Sequence, residues 1–176
     1  MHDTGEYDLT GLRVLVVDDS EFMRDLMSQI FEELGCKHVI GVEDGQQAIN
    51  EINLTVDDEQ GGDDKLFDAV FSDWAMEPMD GLRLLQWVRS HPNPEIRFMP
   101  FIMVSAYSTL DWVITARDAG VSEFLTKPVS VKQLVSRLTS IIERPRAFVK
   151  SGDYFGPDRR RRSANFSGPD RRVRGT

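Results

Sequence analysis

Three aspartates, a serine and a lysine each come after a short stretch of the chain that is predicted to be a β-strand. Asp18 and Asp19 come after Leu12–Val17, Asp73 after Phe67–Ser72, Ser105 after Phe98–Val104, and Lys127 after Glu123–Leu125. Carboxylate oxygens are the ligands of hard cations such as Mg²⁺, and a lysine with a hydroxyl can contact phosphoryl oxygens. A carboxylate in such a place can act as the nucleophile and become an aspartyl-phosphate. The residue types therefore predict a magnesium-assisted phosphoryl site.

The apolar runs alternate with helical patterns, and this order predicts how the five residues meet. Phe22, Leu26, Ile30 and Leu34 recur every fourth residue, His38–Val42 is a second short apolar run, and similar units follow. The β-α order repeated five times predicts an α/β fold, a doubly wound five-stranded parallel sheet of the flavodoxin type, over residues 11–144. The carboxyl ends of its strands share one edge, so the polar residues that follow them should converge there.

Each of these residues also has an ordinary structural explanation. Asp18 or Asp19 alone could cap the first helix, Ser105 could be a turn residue, and Lys127 could be a solvated charge. Their joint placement after strands one, three, four and five favours the phosphoryl site.

The remaining composition limits the class of protein. No apolar stretch approaches the twenty residues of a membrane span, the acidic start does not resemble a secretory signal, and Cys36 is the single cysteine. These features fit a cytoplasmic protein. Residues 1–10 are expected to be a disordered N-terminus, residues 53–65 an acidic surface loop, and Pro92 and Pro94 to mark another loop.

The first 144 residues resemble the receiver domains of two-component response regulators, the CheY-like family. The resemblance runs from about Leu12 to Glu143 and is carried by residues 14–20, Asp73–Gly81, Ser105-Ala106 and Lys127-Pro128. It implies Asp73 as phospho-acceptor, a histidine kinase as donor, and a domain that is not an enzyme beyond its own phosphorylation and dephosphorylation. It further implies Mg²⁺ held by Asp18, Asp19, Asp73 and the Ala75 carbonyl, phosphoryl contacts from Ser105 and Lys127, and a cis Lys127-Pro128 bond.

Two departures from the family pattern fall near this site. The family couples Ser105 to an inward-turning aromatic switch residue, and here that residue is Phe124, which has no hydroxyl. Pro78 stands one place later than in the commonest family pattern. We expect a small change in loop shape and an intact site.

The last 32 residues differ in charge from the rest. Residues 1–144 hold 12 Lys and Arg against 26 Asp and Glu, a net charge of −14, whereas residues 145–176 hold 9 against 3, a net charge of +6. The pentapeptide Gly-Pro-Asp-Arg-Arg occurs at 156–160 and again at 168–172, with Tyr154 or Phe166 two places before each glycine. Few apolar residues are present, so residues 145–176 are expected to be a disordered basic tail when alone.

A generic basic tail for nucleic acid or acidic lipid needs only charge and avoids acids. Here the repeated part uses arginine alone and keeps one aspartate in register. Arginine forks match guanine O6 and N7 or phosphate oxygens, and aspartate can accept from guanine N1 and N2. Two copies suit a small anionic guanine dinucleotide, although binding to a generic polyanion remains the alternative.

The tail resembles that of the Cle proteins, CheY-like proteins whose arginine-rich C-terminal extension binds cyclic di-GMP. The resemblance implies contacts from six motif residues and stacking by two aromatic ones; they are Asp158, Arg159, Arg160, Asp170, Arg171, Arg172, Tyr154 and Phe166. It also implies a flagellar motor switch partner and a place at the flagellated pole. The alternative function is a phosphorylation-driven regulator whose tail binds nucleic acid or another polyanion.

Overall fold

The computed structural model describes residues 9–57 and 66–159, and its centre is a five-stranded parallel sheet. The strands lie in the order β2-β1-β3-β4-β5, and every neighbouring pair is parallel. Their bounds are β1 Arg13–Val17, β2 His38–Val42, β3 Ala69–Asp73, β4 Phe101–Ser105 and β5 Glu123–Thr126. The predicted doubly wound α/β fold is confirmed.

Within residues 9–57 and 66–159, six helices connect or flank these strands. They are α1 Glu21–Glu33, α2 Gly45–Asp57, α3 Gly81–Ser90, α4 Pro94–Arg97, α5 Leu110–Asp118 and α6 Val131–Glu143. The cap of α1 is Ser20, whose side chain accepts from the Met23 amide, so neither of the two preceding aspartates is needed for that role. Ser130 and Gln133 form the predicted capping box of α6. The short α4 replaces a predicted loop, since proline is compatible with the first helical turn.

The sheet is buried on both faces because successive side chains of a strand point in opposite directions. Val14 and Val16 of β1 pack in a cluster with residues of α1 and α6. Leu15 and Val17 pack in a second cluster with residues of α2, α3, α4 and α5. The uninterrupted apolar runs of the sequence are therefore those of a two-sided buried sheet.

The boundaries of the folded region differ from the predicted ones. Helix α2 extends to Asp57, so residues 53–57 belong to a helix, and residues 58–65 of the predicted acidic loop lie outside the described ranges. Leu9, predicted to belong to the disordered N-terminus, is buried among the side chains of the α1–α6 face. Among the described residues, no helix has the length and apolarity that a bilayer crossing requires.

A hairpin follows the last helix, within the segment predicted to be disordered. Its antiparallel strands are β6 (Phe148–Ser151) and β7 (Tyr154–Pro157), joined by Gly152-Asp153 with Gly152 at a φ of 58°. The prediction of disorder is therefore wrong for residues 148–157. Two short segments that begin with aromatic residues and are separated by Gly-Asp are a recognised signal for a two-residue hairpin.

Candidate functional site

The acid pocket lies where the strand ends converge, as predicted. One carboxylate oxygen each from Asp18, Asp19 and Asp73 lie within 4.8 Å of one another. The Lys127 ammonium lies 2.7 Å from the Asp18 carboxylate and 3.3 Å from that of Asp73. Asp18 and Asp73 are buried, whereas Asp19 is exposed. A cluster of three acids with one paired cation has the oxygen ligands and the excess negative charge that suit Mg²⁺.

Backbone contacts hold these side chains in place. The Ser20 amide donates to the Asp18 carboxylate at 3.0 Å. After β3 the chain turns back on itself, and the Gly81 amide donates to the Trp74 carbonyl at 2.9 Å. The amide of Lys127 donates to the carbonyl of Ser105 at 2.9 Å, so β4 delivers the serine and β5 the lysine to the same edge.

The charges of the pocket act on the two groups that are central to it. The pKa of Asp73 is raised because burial opposes its charged form and Asp18 repels it, and the attraction of Lys127 does not offset both effects. Burial opposes the charge of Lys127, but the hydrogen bond to Asp18 and the charge of Asp73 outweigh it and raise the pKa of the lysine. A divalent cation would relieve the repulsion at Asp73, so the pocket fits a metal.

The remaining predicted site residues lie on or after the strands β3, β4 and β5. Ser105 is buried and its hydroxyl accepts from the Tyr107 amide at 3.0 Å. Phe124 lies on β5 and packs partly buried against the core. Ala75 is exposed in the loop after β3. The predicted cis bond at Lys127-Pro128 is confirmed, and Glu77-Pro78 is cis as well.

A buried arginine contacts the hairpin at the amino ends of the strands, away from the acid pocket. Arg89, at the end of α3, is 6 % exposed. Its guanidinium donates to the carbonyls of Gly120, Arg97 and Met99 at 2.8, 2.9 and 2.7 Å, and its carbon Cζ lies 5.0 Å from the centre of the Phe148 ring. Burial lowers the pKa of Arg89 to about 9. The side chain thus joins the loops before β4 and β5 to the hairpin.

Aromatic rings and a close glycine contact complete the hairpin's attachment. The rings of Phe98, Phe148 and Phe155 lie with centroids 4.9 to 5.5 Å apart. The backbones of Gly120 and Gly156 pass so close that a Cβ on Gly156 would lie 2.6 Å from the other glycine's Cα. The first glycine of the repeated pentapeptide is therefore a packing residue.

Three of the predicted nucleotide-binding residues belong to the described part of the chain. The Arg159 guanidinium lies 4.0 Å from the centre of the Tyr154 ring. The amide of Asp158 donates to the Ala147 carbonyl at 2.7 Å, which continues the strand pairing. The other predicted contacts fall outside the described residues; they are Arg160, Phe166, Asp170, Arg171 and Arg172.

The sequence analysis did not identify the residues of the α/β domain that contact the hairpin. Arg89 falls four places after Leu85 on the apolar face of α3, and an arginine at such a position is a signal for a buried guanidinium. Asp118 and Gly120 carry no comparable signal, because their partners in the hairpin lie more than thirty residues away along the chain.

Comparison with known proteins agrees with the fold. A family model described as a response regulator receiver domain matches residues 14–139. The chemotaxis protein CheY-3 of Vibrio cholerae serotype O1 is 30 % identical over 134 residues, covering 76 % of this chain and 94 % of the relative. The chemotaxis protein CheY of Pseudomonas aeruginosa is 29 % identical, with 76 % and 98 % covered.

Solved structures show the same architecture. The receiver domain of the histidine kinase CKI1 from Arabidopsis thaliana, solved as a mutant, matches with a TM-score of 0.66 and 30 % identity, covering 79 % of this chain and 95 % of that one. A CheX–CheY complex with BeF₃ and Mg²⁺ from Borrelia burgdorferi matches with a TM-score of 0.64 and 25 % identity, covering 74 % and 89 %.

Proposed function

Since the chain belongs to the family of response regulator receiver domains, we propose that it is a CheY-like signalling adaptor with two inputs. The first is a phosphoryl group on Asp73, taken from a histidine kinase. The second is cyclic di-GMP, bound by the arginine-rich tail. The output is docking on a protein partner, the flagellar motor switch, in the cytoplasm at the flagellated pole.

The contacts of Lys127 with both Asp18 and Asp73 carry the phosphoryl part of the proposal. A carboxylate oxygen of Asp73 attacks the phosphorus of the donor, and the bond from phosphorus to the donor breaks. Lys127 and the Ser105 hydroxyl would contact the transferred phosphoryl oxygens. Asp18, Asp19, Asp73 and the Ala75 carbonyl would hold Mg²⁺, which neutralises charge on the phosphoryl oxygens when bound.

Replacing the proposed acceptor tests this part. Incubation with an acyl phosphate and Mg²⁺ should add one phosphoryl group to the wild-type chain, as measured by mass spectrometry. Asp73→Asn should gain none because the nucleophile is lost.

Mg²⁺ binding should depend on pH. Since the pKa of Asp73 is raised, protons compete with the cation, and Mg²⁺ affinity should fall as the pH is lowered through that pKa. Asp25→Asn removes an exposed acid from α1 and should leave both results unchanged. Phosphorylation of Asp73→Asn to the wild-type level would contradict the assignment.

The nucleotide part is supported by the doubled pentapeptide and by the geometry of its first copy. Arg159 lies over the Tyr154 ring, so its planar guanidinium is held with one face against an aromatic ring. Such a stacked arginine loses little freedom when it binds a base or a phosphate. The hairpin therefore presents the start of the repeat in an ordered form.

Calorimetry with cyclic di-GMP tests whether the repeated arginines are special. Arg159→Ala with Arg160→Ala should weaken binding by about tenfold or more, since hydrogen bonds to charged groups contribute about 1.5–3 kcal/mol. The matched control is Arg161→Ala with Arg162→Ala, which removes the same charge from the same tail outside the pentapeptide. A chain ending at Asn165 removes the second copy, keeps the hairpin, and should also bind more weakly. Cutting at residue 150 is unsuitable because it deletes β7.

The alternative function is a phosphorylation-driven regulator with a generic polyanion-binding tail. It predicts that the two double arginine variants lose equal binding affinity and that this affinity falls steeply with salt. It also predicts equal affinity for cyclic di-AMP and cyclic di-GMP. That combination of results would overturn the nucleotide part and leave the phosphoryl part standing.

A further inference from the structure

A cavity of about 140 Å³ lies between α5, β5 and the hairpin. Its lining includes three arginines from three different segments: Arg117 of α5, Arg146 before β6, and Arg159 after β7. Tyr154 and Phe124 supply aromatic walls. Among the described lining residues the acid is Glu123, whose carboxylate lies 3.4 Å from Arg137. Three arginines in the lining of one small cavity favour an anionic ligand.

The carboxylate of Asp118, next to the cavity lining in sequence, pairs with two of these arginines. Its Oδ1 atom accepts from Arg117 Nε at 3.0 Å and lies 3.3 Å from an Arg159 terminal nitrogen. Two guanidiniums directed at one carboxylate oxygen resemble the arrangement that binds a phosphate. In this protein the oxygen belongs to the chain itself.

These ion pairs are weak enough to exchange for a ligand. Arg117, Asp118 and Arg159 are each between 41 and 50 % exposed in their side chains. Exposed ion pairs contribute little to stability, whereas a phosphate brings additional acceptor oxygens to the same two guanidiniums.

Two of the arginines in the lining are already held in position by contacts within the protein. Arg159 is stacked on Tyr154, and Arg146 donates to the carbonyls of Ser122 and Asp158. Displacing the Asp118 carboxylate would therefore free a formed site and require no reorganisation of the hairpin backbone.

We propose that a phosphate of the tail's ligand binds between Arg117 and Arg159 at this cavity, and that Asp118 is a built-in competitor for the position. The identity of the ligand rests on the function proposed above. The proposal adds two residues of the receiver body, Arg117 and Asp118, to a site that the repeated motif alone would confine to the tail. Phe124 in the wall places the ligand against β5, the strand that Lys127 directly follows.

Calorimetric titration of the full chain with cyclic di-GMP tests the proposal. Asp118→Asn should tighten binding by about threefold, because the competing charge of an exposed pair is lost. Arg117→Ala should weaken binding by about tenfold, because a charged hydrogen bond is lost. Asp25→Asn and Arg83→Ala make the same charge changes on exposed positions elsewhere and should alter affinity little.

Each outcome has a distinct meaning. Wild-type binding that neither Asp118→Asn nor Arg117→Ala changes beyond its control overturns the inference and leaves the proposed function standing. Absence of binding by the wild-type chain overturns both. Tightening by Asp25→Asn to the extent of Asp118→Asn shows a general charge effect and also overturns the competitor role.

Discussion

Replacing Gly120 by alanine should detach the hairpin from the receiver body. Gly120 has a φ of +93°, and an added Cβ would lie 2.5 Å from the Phe155 carbonyl oxygen and 3.3 Å from the Arg89 side chain. The oxygen is a backbone atom of a packed strand, so no side-chain rotation relieves the contact. We expect the free energy of unfolding to fall by about 3 kcal/mol, combining the left-handed backbone with the clash. Denaturant unfolding measures the loss, and trypsin cleavage after Lys150 should accelerate.

Gly35→Ala is the matched control for this substitution. Gly35 has a φ of +94°, but nothing lies within 4 Å of a Cβ built on it. The free energy of unfolding should therefore fall only by the cost of backbone strain, about 1–2 kcal/mol. Equal losses for the two variants, with unchanged cleavage after Lys150, would show that the hairpin does not depend on close approach to Gly120.

The same substitution separates the two proposed inputs. Arg159 is positioned by the hairpin, so Gly120→Ala should weaken binding of cyclic di-GMP. The acid pocket lies at the other edge of the sheet, so phosphorylation of Asp73 should continue in the folded fraction. A parallel loss of both inputs would mean that the two edges are not independent.

Replacing Gly81 by alanine should disable the acid pocket. A Cβ on Gly81 would lie 2.0 Å from the Asp73 carbonyl oxygen and 2.9 Å from the Ser72 hydroxyl. The loop after β3 would have to move away from α3, taking the Asp73 carboxylate out of line with Lys127. We expect phosphorylation and Mg²⁺ affinity to fall by more than about tenfold, since displacement of a reacting group by about 1 Å can cost a hundredfold.

Gly41→Ala on β2 is the control for this substitution. It separates an effect on the acid pocket from the general effect of replacing a glycine. There the nearest atoms to the added Cβ are side-chain atoms at 3.8 Å, an ordinary contact. Mass spectrometry of the phosphorylated chain and a Mg²⁺ titration of tryptophan fluorescence, with Trp74 next to Asp73, measure both variants. Phosphorylation of Gly81→Ala to the wild-type level would show that the loop can move without displacing the Asp73 carboxylate.

The parallel sheet and the acid pocket could be predicted because their signals are local. Apolar runs such as Leu12–Val17 mark buried strands, and a parallel sheet brings the residues after its strands to one edge. The positions of Asp18, Asp73 and Lys127 follow from that rule and from short spacing along the chain. Helix ends such as Ser130 were predictable for the same reason, because a cap depends on residues three apart.

The place of the tail could not be predicted, because it depends on contacts between distant parts of the chain. The composition of residues 145–176 favours disorder, since the segment has too few apolar residues to fold alone. Phe148 and Phe155 become partly buried only because Phe98 and the buried Arg89 lie against their rings. Pairing of Arg159 with Asp118 likewise exists only after α5 and the hairpin have packed together, so folding brings together partners that sequence spacing does not reveal.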